Sequence, residues 1–295
     1  MPLDSPFFFY LTTVGYFLAF MCYLLNAIAG KSVTAAETAG AHALEIALPR
    51  ENHWGRWATR FLEGSLVLST LGIVLRTIAL SKISGWLMPL PITNTYETLA
   101  FFSWAIPLAY WGFERHYRMK ALGIFSTGIA FVLITIASSP LVPQEVTPLV
   151  PALQSYWLVA HVLFTLAGEA LFSVGFAAGA IVLWRAWQGA SWPRLKRLDE
   201  ISYRAVALGF PLFTVGGLVF GAIWAQKAWG RYWSWDPKET WMLISWLIYA
   251  LYLHVRVRWD WKGQQAAWLI VAGYLATIFT WFGVNYVLSG LHSYN

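Results

Sequence analysis

Eight long apolar stretches constrain this chain more than any other feature. A membrane-spanning helix needs about 20 mostly apolar residues. Stretches near that length run over roughly 7–28, 61–80, 95–113, 121–137, 156–184, 205–225, 240–255 and 265–288. No period-two alternation competes with them, so strands are not expected. The expected fold class is all-α: a polytopic integral membrane bundle of about eight transmembrane helices, forming a single membrane domain over residues 1–295. Composition narrows the class further. Only 12% of the residues are charged, against about 25% in a soluble domain. A soluble globular protein, a disordered chain and a disulfide scaffold are thereby excluded. Nucleic-acid binding is disfavoured despite the net charge of +6. Cys22 is the sole cysteine, so the chain performs no dithiol chemistry alone. The N-terminal run lacks a charged leader and a small-residue cleavage site, and is expected to be a retained span.

Orientation follows from the basic residues in alternate connections. Fifteen of the 20 Lys and Arg fall on one side, four on the other, and Arg76 lies within a span. Both termini are therefore expected on the outer side (periplasm, lumen or exterior), with 30–60 as a basic cytoplasmic connection lying on the headgroups. The stretch 139–155, with Pro140, Pro143, Pro148 and Pro151, becomes an outer connector. The outer connection at 224–241 holds three of the four outer basic residues: Lys227, Arg231 and Lys238.

That connection also carries the densest chemistry. Trp224, Trp229, Trp233, Trp235 and Trp241 fall within 18 residues, together with Tyr232. Asp236, Pro237 and Glu239 spell a helix start, with an acid N-cap, Pro at N1 and Glu at N3. Capping is their ordinary role whatever else they do. An aromatic belt accounts for Trp224 and Trp241 at span ends. It accounts poorly for Trp229, Trp233 and Trp235, which are expected in the loop beside Gly230. Several flat rings on a short loop make a stacking platform, and Arg231, Lys227 and Lys238 could meet carboxylates. A large flat ligand with carboxylates is a haem, whose iron takes axial histidines.

Six histidines are present. His42, His53 and His116 fall in inner connections and are expected to be ordinary solvated residues. His161 lies about 8 Å inside the outer end of the fifth span, counted at 1.5 Å per residue, and His292 lies in the outer tail. Both are thus on the side of the Trp-rich loop. His254 sits near the inner end of the seventh span, where a snorkelling interfacial histidine is the plain alternative to a ligand. No second histidine lies at that depth, so a bis-His inner site needs one from another subunit. Four ionisable residues fall in or near spans: Glu63, Arg76, Glu97 and Glu169. Such residues are functional candidates by default, although an internal ion pair is the commoner role. Glu169, eight residues after His161, is expected to share its helix face; it is a candidate to line a route or carry a proton, with an internal ion pair or a span-end place the commoner role. Glu97, at the outer end of the third span, is a candidate cavity residue.

The run Trp229-Gly-Arg-Tyr-Trp233-Ser-Trp235-Asp236-Pro237-Lys238-Glu239-Thr-Trp241 resembles the tryptophan-rich "WWD" signature of haem-handling proteins. Over most of its length the chain is similar to the CcsA (ResC) cytochrome c biogenesis family. The likeness takes in Asn94-Thr-Tyr96-Glu97, Ser155 to His161, Leu253-His254-Val-Arg256, and Gly283 to His292. It implies a protein that carries haem b, as transported substrate, across a bacterial plasma membrane or a thylakoid membrane. The haem is presented outside for thioether attachment to the Cys-x-x-Cys-His motif of apocytochrome c. By that likeness His161 and His292 are the outer axial ligands, and the five tryptophans with Asp236 are the platform. His254 is the inner ligand, paired with a histidine from a CcsB/ResB/Ccs1-type subunit. The chain would then be one component of a holocytochrome c synthase. The alternative is a haem exporter or chaperone resembling CcmC, without synthase activity; eight spans and His254 favour CcsA.

Overall fold

A computed structural model describes residues 4–37, 53–85, 90–147, 151–284 and 288. These residues form eight helical rods, with no strand among them. We number them α1 (Ser5–Glu37), α2 (His53–Ser84), α3 (Thr95–Tyr117), α4 (Ala121–Ala137), α5 (Tyr156–Trp187), α6, α7 (Pro237–Arg258) and α8. Rod α6 starts as Trp192–Phe213, passes through π-helical turns at Thr214–Phe220, and ends as Gly221–Trp229. Rod α8 is Gln264–Ile278 with a π-helical end, Phe279–Gly283. A short 3-10 turn, Pro151–Leu153, precedes α5. The expected helices are all present, and six of them are long and apolar enough to cross a membrane. The other two are α4, which is apolar but short, and α3, which carries Glu97, Glu114 and Arg115. The protein is a helical membrane protein.

The chain divides into two compact units, Met1–Leu149 and Val150–Asn295. In the first, α1 packs between α2 and α4, and α3 packs against both of these. The contacts run antiparallel: Phe9 lies against Gly72, Asn26 against Gly55, and Tyr23 against Gly123. Tyr16, Tyr23, Tyr96 and Tyr110 fill the centre, with Tyr23 and Tyr110 edge to face at 5.8 Å. Each end of this bundle is tied by a buried charge pair. At one end Arg76 Nε donates to Glu97 at 2.6 Å, and its other nitrogens reach the carbonyls of Gln144 and Glu145. At the other end Glu114 receives Lys120 at 3.0 Å together with the hydroxyls of Tyr23 and Thr59. Glu63 accepts from the Trp111 indole and pairs with Arg115. Three of the in-span ionisable residues are thus internal partners of one another or of helix-end cations, which is how buried charge is held at tolerable cost.

In the second unit α5 packs against α6 and α8, and α7 against the same two. The core joins Phe172, Phe213, Tyr249 and Tyr274, with Phe172 stacked on Tyr249 at 3.7 Å. Close approach of α5 and α6 depends on glycine. A Cβ on Gly168 would sit 2.8 Å from the Gly209 carbonyl, and one on Gly209 would sit 2.8 Å from that of Gly168. Two backbones in contact recover packing where apolar burial gives helices no reason to associate. The far end of α7 is held by Arg256, which grips Asp199 through two nitrogens at 2.7 and 2.9 Å. The same carboxylate takes the Gly263 N–H at 2.8 Å, fixing the turn into α8.

Candidate functional site

The tryptophan-rich segment is built differently from its expected form. Trp224 and Trp229 are not loop residues: α6 continues through Gln226 and Lys227 and stops at Gly230, whose left-handed φ of 76° caps it. Only Gly230 to Asp236 is loop. Its return into α7 is fixed by the acid pair read from the sequence. Asp236 accepts from the Lys238 N–H at 3.0 Å. The Glu239 carboxylate collects the N–H of Ser234 at 2.8 Å, its hydroxyl at 3.1 Å, and the N–H of Asp236 at 3.3 Å. This is a capping box extended two residues into the loop, to Ser234. Between these anchors Trp235 is forced to a φ of 57°, a region that costs a bulky side chain energy. The turn throws its ring outward, 69% exposed, edge-on to Trp233 at 5.7 Å. Tyr232 is 61% exposed beside it.

His161 on α5 meets the other half of the segment. Its ring lies parallel to that of Trp224, 6° apart with centroids at 5.9 Å, and Trp229 closes on Trp224 at 4.8 Å. Trp224 is 3% exposed, so it backs the histidine rather than presenting a face of its own. The His161 Nδ1 lies 2.9 Å from the Gly216 carbonyl. A carbonyl oxygen only accepts, so Nδ1 carries the proton and the lone pair is on Nε2, the form in which imidazole binds a metal. Gly221 makes the approach possible, since a Cβ there would stand 3.0 Å from Nδ1.

Glu169 does not share the face of His161. Eight residues at 100° each leave about 80° between them, and Glu169 turns instead to α8. There it is buried and accepts from the Trp281 indole at 2.7 Å. Lys238 reaches back from the first turn of α7 over the same indole ring, 4.8 Å from its centroid. Trp241 packs on Phe279 at 4.3 Å. Arg231 and Lys227 are exposed and, among the described residues, pair with no carboxylate. Glu97 lies in the first unit and is held by Arg76 and Thr93.

His254 is on the outer surface of α7, near the end opposite Asp236, with the edge of Trp259 at 5.6 Å. Leu251 and Leu247, one and two turns earlier, are exposed on the same face. His53 opens α2 against Trp54, and His116 lies in the last turn of α3. His292 and His42 lie outside the described residues. Among the described residues no three His, Cys, Asp or Glu side chains gather as a metal cluster. Sequence reasoning missed Gly216, Gly221, Trp281 and Asp199. The adjacent glycines Gly216 and Gly217 inside an apolar span were the available signal for the first two.

A histidine bound through Nδ1 to a backbone carbonyl, its ring laid parallel to one tryptophan, gives this helical membrane protein a histidine-and-tryptophan site. The family described as cytochrome c assembly protein matches residues 92–292, which includes α3 to α8 and the whole segment. The cytochrome c biogenesis protein CcsA of Chlamydomonas reinhardtii is 36% identical over 78% of this chain and 72% of its own length. That of Guillardia theta is 35% identical over 78% and 84%. That of Synechococcus sp. strain RCC307 is 38% identical over 69% and 76%. The chain belongs to the CcsA family of cytochrome c assembly proteins.

Proposed function

We propose that this protein transports haem b across its membrane and presents it on the outer face for attachment to apocytochrome c. The observation that carries this reading is His161, whose ring is backed by Trp224 and whose Nε2 holds the lone pair. His161 and His292 are the outer axial ligands. Trp224 and Trp229 support the first of them, while Trp233, Trp235 and Trp241 with the Asp236 cap form the platform around the porphyrin. Arg231 and Lys227 offer charge-assisted hydrogen bonds to the propionates. Lys238, turned toward Trp281, and buried Glu169 shape the floor of the site, and Glu97 belongs to the outer end of the first unit. The outer placement of this end and of both termini follows the basic residues of the inner connections. The membrane is a bacterial plasma membrane or a thylakoid.

Haem enters from the inner side at His254, exposed on α7, with a second histidine from a CcsB/ResB/Ccs1-type subunit. Attachment adds each thiol S–H of the Cys-x-x-Cys-His motif across a haem vinyl group. An S–C bond forms, the hydrogen goes to the neighbouring carbon, and nothing leaves. The apoprotein supplies the thiols and its own iron ligand. This chain supplies orientation and proximity, which accords with its single buried cysteine.

The test is a visible spectrum of the protein purified with haem available, followed by incubation with a Cys-x-x-Cys-His peptide. A Soret band and thioether product are expected. A Soret band without product identifies a haem exporter or chaperone, and no Soret band with haem supplied overturns both readings.

A further inference from the structure

We propose that the π-helical turns Thr214–Phe220 are the positioning element for His161, presetting its ring as an iron ligand before haem arrives. The inference rests on the reading of His161 as an axial ligand and adds how that ligand is made ready. In an α-helix the Gly216 carbonyl would take one bond from the residue four positions on. Here it takes the N–H of Gly221, five positions on, and the Nδ1–H of His161 on the facing helix. A carbonyl has two lone pairs, and the wider π turn aims the second of them sideways out of the helix. Gly216 itself is pressed against α5, where a Cβ would meet that of Phe164 at 2.7 Å. Gly221 lies close against the ring, where a Cβ would crowd Nδ1 at 3.0 Å and displace the imidazole. The ring is also laid parallel to Trp224, three residues or just under one turn beyond Gly221 on the same rod.

Three features of one helix therefore act on one side chain: a carbonyl that fixes the tautomer, a glycine that admits the ring, and an indole that fixes its plane. Histidines that ligate metals commonly owe their orientation to a partner of this kind, and loss of such a partner weakens metal binding about 10- to 100-fold. The same rod ends in the tryptophan loop. Ligand and platform are thus set by one element, and the π turns are the place where its register is adjusted.

The experiment has a haem-free arm and a haem-binding arm. In haem-free protein labelled with nitrogen-15 histidine, the His161 resonances are expected to show Nδ1 protonated and Nε2 unprotonated. An Nε2–H tautomer, or an even mixture, overturns the proposal without reference to haem. In the second arm Gly221→Ala, Gly179→Ala and His161→Ala are titrated with haem. Gly179 faces Ser202 at an ordinary 3.6 Å and serves as the control. Gly221→Ala is expected to bind haem about 10- to 100-fold more weakly, with added imidazole restoring affinity as it does for His161→Ala. Restoration shows that the variant is folded and has lost only its ligand. A Gly221→Ala protein that binds like the Gly179→Ala control, while His161→Ala does not, overturns the positioning role alone. A His161→Ala protein that retains full affinity overturns the ligand reading and this proposal with it. Should Gly221→Ala fail to fold, the tautomer measurement decides.

Discussion

Both units open their third helix in the same way. Asn94 caps α3 and Asp236 caps α7, each followed three residues later by a glutamate and then a threonine. The two glutamates even accept the same kind of donor, the Thr93 N–H and hydroxyl in one case and those of Ser234 in the other. Their other contacts differ. Glu97 turns Oε1 to Arg76, and that arginine pulls the stretch at Gln144 and Glu145 onto the helix ends. Glu239 commits its carboxylate to its own loop, and the cation beside it, Lys238, is drawn over Trp281. The first bundle is closed at that end by charge. The second carries exposed rings at the corresponding end of its third helix, and Arg231 and Lys227 nearby pair with no carboxylate among the described residues. The same local start can therefore seal a bundle or furnish a site, and the choice rests on what the neighbouring helices bring.

Breaking the seal should have the largest effect on stability. Arg76→Met leaves Glu97 buried without its cation and is expected to cost about 3–5 kcal/mol, measured as a lower thermal unfolding midpoint in detergent. A loss below about 1 kcal/mol, the size of an exposed pair, would break the comparison. Glycine contacts should follow with opposite signs in the two units. Gly168→Ala drives a methyl into the backbone of α6 and is expected to cost about 1–3 kcal/mol. Gly112→Ala on α3 meets nothing within 4 Å and should stabilise by about 0.5–1 kcal/mol through helix propensity. Denaturant titration of the two variants side by side reads the difference. Trp235→Gly should raise stability by about 1 kcal/mol, because glycine accepts the left-handed φ that the indole resists, while weakening haem retention in the Soret titration. A variant that is both less stable and fully competent would remove Trp235 from the platform. The smallest effect belongs to Arg115→Ala, which breaks the half-exposed pair with Glu63 and should change the unfolding midpoint by the equivalent of about 0–1 kcal/mol.

The helices were legible because apolar runs of spanning length have few other structures open to them. The α7 start was legible because Asp236, Pro237 and Glu239 act within one turn. The end of α6 was not, since hydropathy falls at Gln226 and Lys227 while the helix continues to the first residue that can adopt a left-handed cap. The partner of Arg256 was hidden because Asp199 lies 57 residues away, although both ends are plain in the sequence. The separation of His161 from Glu169 follows from 3.6 residues per turn applied strictly over eight positions. The π turns have no compositional mark beyond Gly216 and Gly217, and the close approach of Gly216 to Phe164 and Thr165 of α5 is a contact that sequence does not show. His161 itself stood out by its place before the tryptophans, but its tautomer belongs to a carbonyl 55 residues away.

The unbroken run of α6 to Trp229 has a consequence for reach. Residues 205–229 extend about 37 Å at 1.5 Å per residue, against a hydrocarbon layer of about 30 Å. The rod is thus longer than the oily slab is thick, and part of it stands clear of the hydrocarbon. Tyr232 and Trp235, on the loop that follows the rod, turn exposed rings to whatever approaches them.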